Sequence, residues 1–294
     1  MISLDVKILR DDRSVAKVNW FFLFTIIWSI VVQFLPINVN LYQYIAFLIP
    51  ISIYLLINRK DAERILRPNK LNFISLIIIF LIWLASLPVM FLFIELYVKF
   101  FGSTLADIVA EDYHELFLWN FFFTAITPAV IEEILMRGII LDGYRNKPKF
   151  IAALLNGFMF GMLHLNSFQF FHTFIAGFIS SYVVFATNSI FAGISIHLIN
   201  NGLPLIINHL YQPNPNVGYA GEPDFVVLSL FAIIGVFSIY LLIKLLFKVN
   251  RIPIKENRIY SGEKIFTLPL ILSIIIFIAF SALLIFSLKS ATMA

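Results

Sequence analysis

Residues 73–93 read FISLIIIFLIWLASLPVMFLF, a stretch of 21 residues without a charged side chain. An α-helix needs about 20 apolar residues to cross the hydrocarbon core of a bilayer, which is about 30 Å thick. This stretch therefore predicts a transmembrane helix. It belongs to a chain of 294 residues that is 61% hydrophobic and 13% charged, whereas soluble domains carry about 25% charged residues. We predict an all-α, polytopic transmembrane helix bundle.

Eight further apolar stretches make the same prediction, so that about nine spans form a single integral-membrane domain over residues 1–294. The stretch at 150–165 is the shortest, and the count becomes eight if it is buried in protein instead of lipid. The first stretch is longer than the apolar region of a signal peptide, which has about 7–15 residues, so we expect it to be retained. The eight stretches are residues 18–34, 41–57, 117–141, 150–165, 168–186, 190–210, 225–247 and 265–288.

Basic residues alternate between successive loops, and short cytoplasmic loops are enriched in Lys and Arg. The N-terminal arm, the loop 58–72, the loop 142–149 and the loop 248–264 each carry at least three of them, whereas residues 36–40 and 212–224 carry none. The N-terminus is therefore predicted to be cytoplasmic. The same sidedness accounts for the net charge of +4 without a nucleic-acid partner, and the lack of cysteine excludes thiol chemistry.

Two adjacent glutamates lie in the fourth predicted span, in the sequence IEEILMRG at residues 131–138. An ionisable side chain at mid-membrane costs roughly 2.5–3.5 kcal/mol on insertion scales, so it is a functional hypothesis by default. Glu133 and Arg137 are four residues apart with the acid first, which favours an ion pair along the helix. Glu132 lies about 100° around the helix and cannot share that partner well. An unpaired carboxylate of this kind is a candidate general base.

The fifth predicted span has a polar face and a face of small residues. Asn156, Phe160 and His164 recur at intervals of four and share one side of the helix, while Gly157 and Gly161 allow another helix to approach closely. A lone membrane histidine is often only a helix–helix hydrogen bond, and His164 has to be weighed against that simpler interpretation.

His197 and Asn201 lie one turn apart in the seventh predicted span. Both side chains can donate hydrogen bonds, as an oxyanion site requires. Depth is counted from the predicted cytoplasmic end of each span at about 1.5 Å per helical residue. On this count Glu133, His164 and His197 all lie at similar depth, near the middle of the membrane. Polar residues of three helices at one depth predict a single site.

These residues resemble the three motifs of the CAAX prenyl protease type II family, whose bacterial branch is called CPBP or Abi. The motifs are Glu132-Glu133-x-x-x-Arg137, Phe160-x-x-x-His164 and His197-x-x-x-Asn201, with about thirty residues between successive motifs. The resemblance covers residues 117–210, and it implies a catalytic core at 115–210 between flanking helices at 1–114 and 211–294. Many members have Phe directly before the arginine, where this chain has Met136.

The resemblance implies an intramembrane endopeptidase. The Phe-, Ile-, Asn- and Lys-rich composition is typical of an AT-rich genome and favours a multi-pass protein of a bacterial plasma membrane. Glu132 would activate water and His164 would help to hold it. His197 and Asn201 would stabilise the tetrahedral oxyanion, and Glu133, Arg137 and Phe160 would support them. The substrate would be a peptide or a lipidated peptide that reaches the site from the membrane, and no cofactor is favoured.

Two alternatives stay open. In a zinc-dependent protease, Glu132, His164 and His197 would be the metal ligands, since catalytic zinc takes three protein ligands and keeps one position open. In a non-catalytic immunity or scaffold protein, the same fold would only bind a membrane partner. His172 is interpreted as an interface or packing residue, and His114 and His209 as loop or interface residues.

Overall fold

The structure is a computed structural model that describes residues 13–105, 116–211, 224–254 and 260–293, and within these ranges all regular secondary structure is helical. His114 lies outside the described residues. The chain is a polytopic helix bundle, as the sequence predicts. The helices are α1 (Ser14–Gln33), α2 (Val39–Ile57), α3 (Ala62–Leu66), α4 (Phe73–Phe101), α5 (residues 117–143), α6 (Lys149–Leu163), α7 (Ser167–Thr187), α8 (Ile190–Tyr211), α9 (Phe225–Val249) and α10 (Leu268–Met293).

Seven of these helices are long and apolar enough to cross a membrane, namely α1, α2, α4, α7, α8, α9 and α10. The helix α6 has only 15 residues, and 10 of them are buried. It is therefore packed inside protein along most of its length, as its short apolar stretch suggested. The total number of spans and the cytoplasmic N-terminus remain predictions.

Polar side chains and one glycine set the helix ends. The side chains of Asn72, Asn166 and Asp224 accept backbone N–H bonds from the first turns of α4, α7 and α9, which satisfies donors that have no partner within the helix. The helix α4 ends at Gly102, whose φ of 84° suits glycine.

The helix α5 is not a regular α-helix, contrary to the 3.6-residue periodicity applied to its sequence. Its turns at Phe121–Ile126 and Ile134–Ile140 are π-helical. In the second π-helical stretch, Asn156 Nδ2 of α6 donates to the Met136 carbonyl oxygen over 2.6 Å. A side chain that inserts into the backbone ladder is a known cause of such irregularity, and π-turns are frequent at functional sites.

The helices α6 and α7 pack in direct backbone contact through glycines. A Cβ added at Gly157 would lie 2.6 Å from the Phe174 carbonyl oxygen, and one at Gly177 would lie 2.8 Å from the Gly157 Cα. Gly161 is equally close to Phe170. The predicted small-residue contact is confirmed, and it fixes the position of His164 at the end of α6.

The basic loops lie together on one end of the bundle, which we call the basic face. Ala16 N donates to Glu263 Oε1 over 2.8 Å, and Lys147 Nζ donates to the Ser261 carbonyl oxygen over 2.8 Å. Asn69 Nδ2 donates to the Asn188 carbonyl oxygen over 2.6 Å. The first two contacts join the start of α1 and the loop between α5 and α6 to the segment before α10, and the third joins the loop before α4 to the turn between α7 and α8. Arg64 of α3 also pairs with Asp142 of α5.

The other ends of the helices form the opposite face. There the Tyr97 and Ser167 hydroxyl oxygens lie 2.8 Å apart, and the Phe117 and His209 rings stack with centroids 4.3 Å apart. His209 is thus exposed at the end of a helix, near a surface of the bundle, and not in a loop. Among the residues whose side chains the structure describes, Lys99 is the Lys or Arg at this end.

Candidate active site

A cavity of about 390 Å³ lies inside the bundle, and every predicted site residue lines it. The helices α5, α6, α7 and α8 supply most of its wall, and α2 and α4 supply the remainder. The three motifs, far apart in sequence, therefore meet around one space. The predicted residues that line it are Glu132, Glu133, Arg137, Phe160, His164, His197 and Asn201.

The floor of the cavity is a buried ion pair. Arg137 Nη1 lies 2.7 Å from Glu133 Oε1, and each side chain is 1% exposed. Ser180 Oγ donates to Glu133 Oε2 over 3.2 Å. Nε and Nη1 of Arg137 make no well-directed hydrogen bond to a described residue, so the pair is held mainly by charge and packing.

The Phe160 ring lies at the centre of this arrangement. Its centroid is 4.5 Å from Arg137 Cζ, a cation–π distance. It also makes edge contacts with the His164 and His197 rings, at centroid distances of 5.2 and 5.9 Å. Phe160 therefore separates and orients the charged and imidazole groups without adding a competing hydrogen bond.

Glu132 has more neighbours than the sequence analysis expected. Its Oε1 accepts a hydrogen bond from Gln43 Nε2 over 3.3 Å, and its Oε2 lies 4.0 Å from His197 Nε2. The sequence analysis did not predict the hydrogen bond from Gln43, which α2 brings across the cavity, but the ion pair of Arg137 is with Glu133 and not with Glu132. Glu132 is 6% exposed, and it has no cation as close as Arg137 is to Glu133. The two glutamates thus occupy different environments.

His197 is oriented by Glu133. Its Nδ1 lies 3.1 Å from Glu133 Oε1, and a carboxylate in an ion pair can only accept, so Nδ1 carries the proton. Nε2 then faces the Glu132 side of the cavity. A hydrogen bond donated from Nε2 requires the doubly protonated ring.

His164 is held in the same Nδ1-protonated form, because its Nδ1 also faces an oxygen that only accepts. Its Nδ1 lies 3.1 Å from the Phe160 carbonyl oxygen, which only accepts. The proton of the neutral ring is then on Nδ1, and Nε2 is left as an acceptor. A water molecule in the cavity can donate to that nitrogen.

Asn201 is fixed at both ends of its amide. The Thr124 carbonyl oxygen receives no hydrogen bond from residue 128, because Pro128 has no backbone N–H. Asn201 Nδ2 donates to that oxygen instead, over 3.2 Å. Asn200 Nδ2 donates to Asn201 Oδ1 over 3.2 Å. The second N–H of the Asn201 amide remains for a group inside the cavity.

Residues 114–203 match the family model described as Type II CAAX prenyl endopeptidase Rce1-like. The chain carries a type II CAAX prenyl endopeptidase domain. The match spans all three motifs, and the family implies a protease. No curated protein matches the chain, and no solved structure does.

Helices outside the endopeptidase domain complete the cavity. Gln43 of α2 and Trp83 of α4 line it, although neither lies in the matched segment. Gln43 Oε1 and Trp83 Nε1 are buried and have no hydrogen-bond partner among the described residues. Sequence reasoning missed both, because uncharged polar residues in apolar helices carry no signal of their own.

His172 also lines the cavity, where its ring contacts Phe168 at a centroid distance of 5.6 Å. The interpretation of His172 as an interface or packing residue was therefore incomplete. Its position on α7 depends on the close packing of α6 and α7, which the local sequence around His172 does not reveal.

The residues that the structure describes in the matched segment do not form a zinc site in this arrangement. Zinc ligands lie about 2.0–2.2 Å from the ion, so their donor atoms must converge on one point. Among the residues that the structure describes, no three His, Asp or Glu side chains gather closely enough to hold a metal. The proposed ligand set of Glu132, His164 and His197 is not supported by this geometry.

Proposed function

We propose that the protein is an intramembrane endopeptidase in which Glu132 activates water and no metal takes part. The observation that carries this proposal is the unequal use of the two glutamates. Glu133 is committed to Arg137, His197 and Ser180, whereas among the described residues Glu132 has only the weak donor Gln43 within hydrogen-bond reach. Glu132 is therefore the carboxylate that is left to accept a proton.

The reaction follows from the remaining groups. A water that donates one hydrogen to Glu132 and the other to His164 Nε2 is oriented with its lone pair toward the cavity, where a peptide carbonyl carbon can be attacked. Glu132 takes the proton of the water as the carbon–oxygen bond forms. The same proton then passes to the leaving nitrogen as the peptide bond breaks, so that Glu132 ends as it began.

His197 and Asn201 provide the donors for the oxyanion that forms on the carbonyl oxygen. Asn201 offers its second amide hydrogen, and His197 offers Nε2–H when its ring is doubly protonated. Each such donor is typically worth about 10²–10³ in rate. Glu133 holds His197 through Nδ1, and Arg137 balances the charge of Glu133.

The substrate of the proposed enzyme is a peptide or a lipidated peptide that enters from the membrane, in keeping with the family. We further propose that the protein resides in the plasma membrane of a bacterium, where substrates other than prenylated proteins, such as peptide precursors, are available.

The base is tested with Glu132→Gln, which keeps the hydrogen bond from Gln43 but cannot accept a proton. Cleavage of a quenched fluorogenic peptide library by the purified protein should be lost, while the circular dichroism and the melting curve in detergent stay close to those of the wild type. Glu63→Gln, at an exposed position on the basic face, is the matched control and should cleave normally. Unchanged cleavage by Glu132→Gln would remove Glu132 from the role of base.

The metal question is tested on active, chelator-treated protein by elemental analysis. Full cleavage activity with less than one tenth of a zinc per chain supports the metal-free reaction. One zinc per active chain, lost in His197→Ala together with activity, would overturn it. Specific binding of a peptide without any cleavage would instead favour the scaffold alternative.

A further inference from the structure

The active-site cavity is closed toward the basic face. The residues that line it stop at Arg137 on α5, at Ser180 on α7 and at Ile196 on α8. Each stops about six or seven residues before its helix reaches the basic face, which is roughly 9–10 Å of helix. Buried apolar side chains fill much of this interval, among them Ile139, Ile140, Leu141, Val183, Val184 and Ala192.

The same cavity extends toward the opposite face. On α5 it is lined as far as Asn120, and on α2 it is lined from Gln43 back to Val39. Val39 is 60% exposed and lies at the start of α2, beside the short connection from α1. The cavity therefore has its entrance at the opposite face and its floor at the Glu133–Arg137 pair.

The entrance is rich in neutral hydrogen-bonding groups. Six amide side chains line the cavity, and the described lining residues that carry a formal charge are confined to its floor. Amides pair with the N–H and C=O groups of an extended peptide backbone. The six amide residues are Asn40, Gln43, Asn120, Gln169, Asn200 and Asn201. The lining residues with a formal charge are Glu132, Glu133 and Arg137.

The distribution of basic residues between the two faces indicates which face is cytoplasmic. Lys and Arg are concentrated in cytoplasmic loops, and the basic residues of the described loops lie on the face from which the cavity is closed. They are Arg13, Lys17, Arg59, Lys60, Arg64, Arg67, Lys70, Arg145, Lys147, Lys149, Lys248, Arg251 and Lys264. The closed floor thus faces the cytoplasm.

We infer that the active site is reached from the extracytoplasmic side of the membrane. That the molecule entering the cavity is a substrate rests on the proposed function. The side from which it enters rests on the shape of the cavity and on the charges of the loops. The substrate class is then a polypeptide segment on the outer side, either an exported peptide or the outer part of a membrane-inserted one. A soluble cytoplasmic protein with a C-terminal cleavage site does not meet this entrance.

The test uses the absence of native cysteine from the chain. Ala176→Cys places a thiol on the cavity wall, and Val39→Cys places one at the entrance. Glu63→Cys places one on the basic face as the matched control. Each variant is treated with membrane-impermeant 2-sulfonatoethyl methanethiosulfonate, in right-side-out and in inside-out vesicles. Ser86→Cys, a near-isosteric change in the same wall, serves if Ala176→Cys does not fold.

The expected result is that the cavity and entrance thiols react in right-side-out vesicles, and that Glu63→Cys reacts in inside-out vesicles. Reaction of the cavity thiol only in inside-out vesicles overturns the inference, and so does reaction only after detergent is added. A reversed pattern for all variants overturns it as well. The labelling needs no proteolysis, so a chain that labels as expected but cleaves no peptide contradicts the proposed function alone.

Discussion

The helices α7 and α9 are both long enough to cross a membrane, yet they use their sequences differently. In the most apolar 18 residues of α7, 50% are buried, against 11% in α9. The buried helix carries Gln169, His172, Ser180 and Ser181, whereas α9 presents large apolar side chains outward. The more apolar helix is thus the one in contact with lipid, and the more polar helix is the one that builds the site.

The largest effect should follow from a change in the polar interior that leaves a charge unpaired. Glu133→Gln removes the partner of Arg137, which is buried, and breaking a buried pair in this way costs about 3–5 kcal/mol. The melting temperature in detergent should fall steeply together with activity. Glu132→Gln is the control, since it strands no cation. If both variants melt alike, the two glutamates do not differ in role.

Asn201→Ala should have the next largest effect, and on catalysis more than on folding. Loss of one oxyanion donor should lower kcat by about 10²–10³, while KM changes little because the interaction forms only in the transition state. Asn200→Ala removes the hydrogen bond that orients Asn201 and one cavity-lining amide, but no oxyanion donor, so its effect on kcat should be smaller. Steady-state kinetics on one fluorogenic peptide compares them. An equal loss in both variants would make Asn201 a positioning residue.

A third, smaller effect is expected where α6 meets α7. Gly157→Ala would place a methyl group 2.6 Å from a backbone oxygen of α7, and overpacking of this kind typically costs about 1–3 kcal/mol. Gly138→Ala is the matched control in the same domain, because nothing lies closer than 3.7 Å to its added Cβ. Thermal melting of both variants is the measurement. A Gly157→Ala protein as stable as Gly138→Ala would show that the contact is looser than described.

The smallest effect is expected on the lipid-facing side of α9. Phe237 is 63% exposed, and substitutions away from packed features usually change stability by less than about 0.5 kcal/mol. Phe237→Leu should cleave and melt as the wild type does. A loss of activity would mean that α9 takes part in the function, and the contrast with α7 would fail.

Much of this site could be predicted because each motif repeats at helical spacing within one segment. Glu133 and Arg137 are neighbours along a helix, so their ion pair follows from local geometry, and the same spacing places His197 and Asn201 on one side of α8. Gln43 differs, since its hydrogen bond to Glu132 spans 89 residues. Only the packing of α2 against α5 reveals it.

The π-helical turns of α5 mark a second boundary of prediction. A regular helix of 3.6 residues per turn was assumed for Glu132 and Glu133, but the turn that follows them is widened where Asn156 takes the Met136 carbonyl oxygen. That contact depends on a side chain of α6, which in turn is positioned by the glycine contact with α7. Neither the contact of Asn156 with α5 nor the contact of α6 with α7 can be predicted from the local sequence of α5.

The shortness of α6 has a consequence for how water enters an oily environment. Its 15 residues measure about 22 Å, roughly 8 Å less than a bilayer interior of about 30 Å. If α6 begins at the basic face of the membrane, the turn at His164–Asn166 lies inside the bilayer, where irregular backbone is tolerated only against protein or a water-filled recess. One backbone acceptor of this turn is satisfied within the turn itself, since Asn166 Nδ2 donates to the His164 carbonyl oxygen over 3.0 Å. In the proposed reaction, a helix that ends early leaves a recess beside His164 with room for water, which is the second reactant of a hydrolysis.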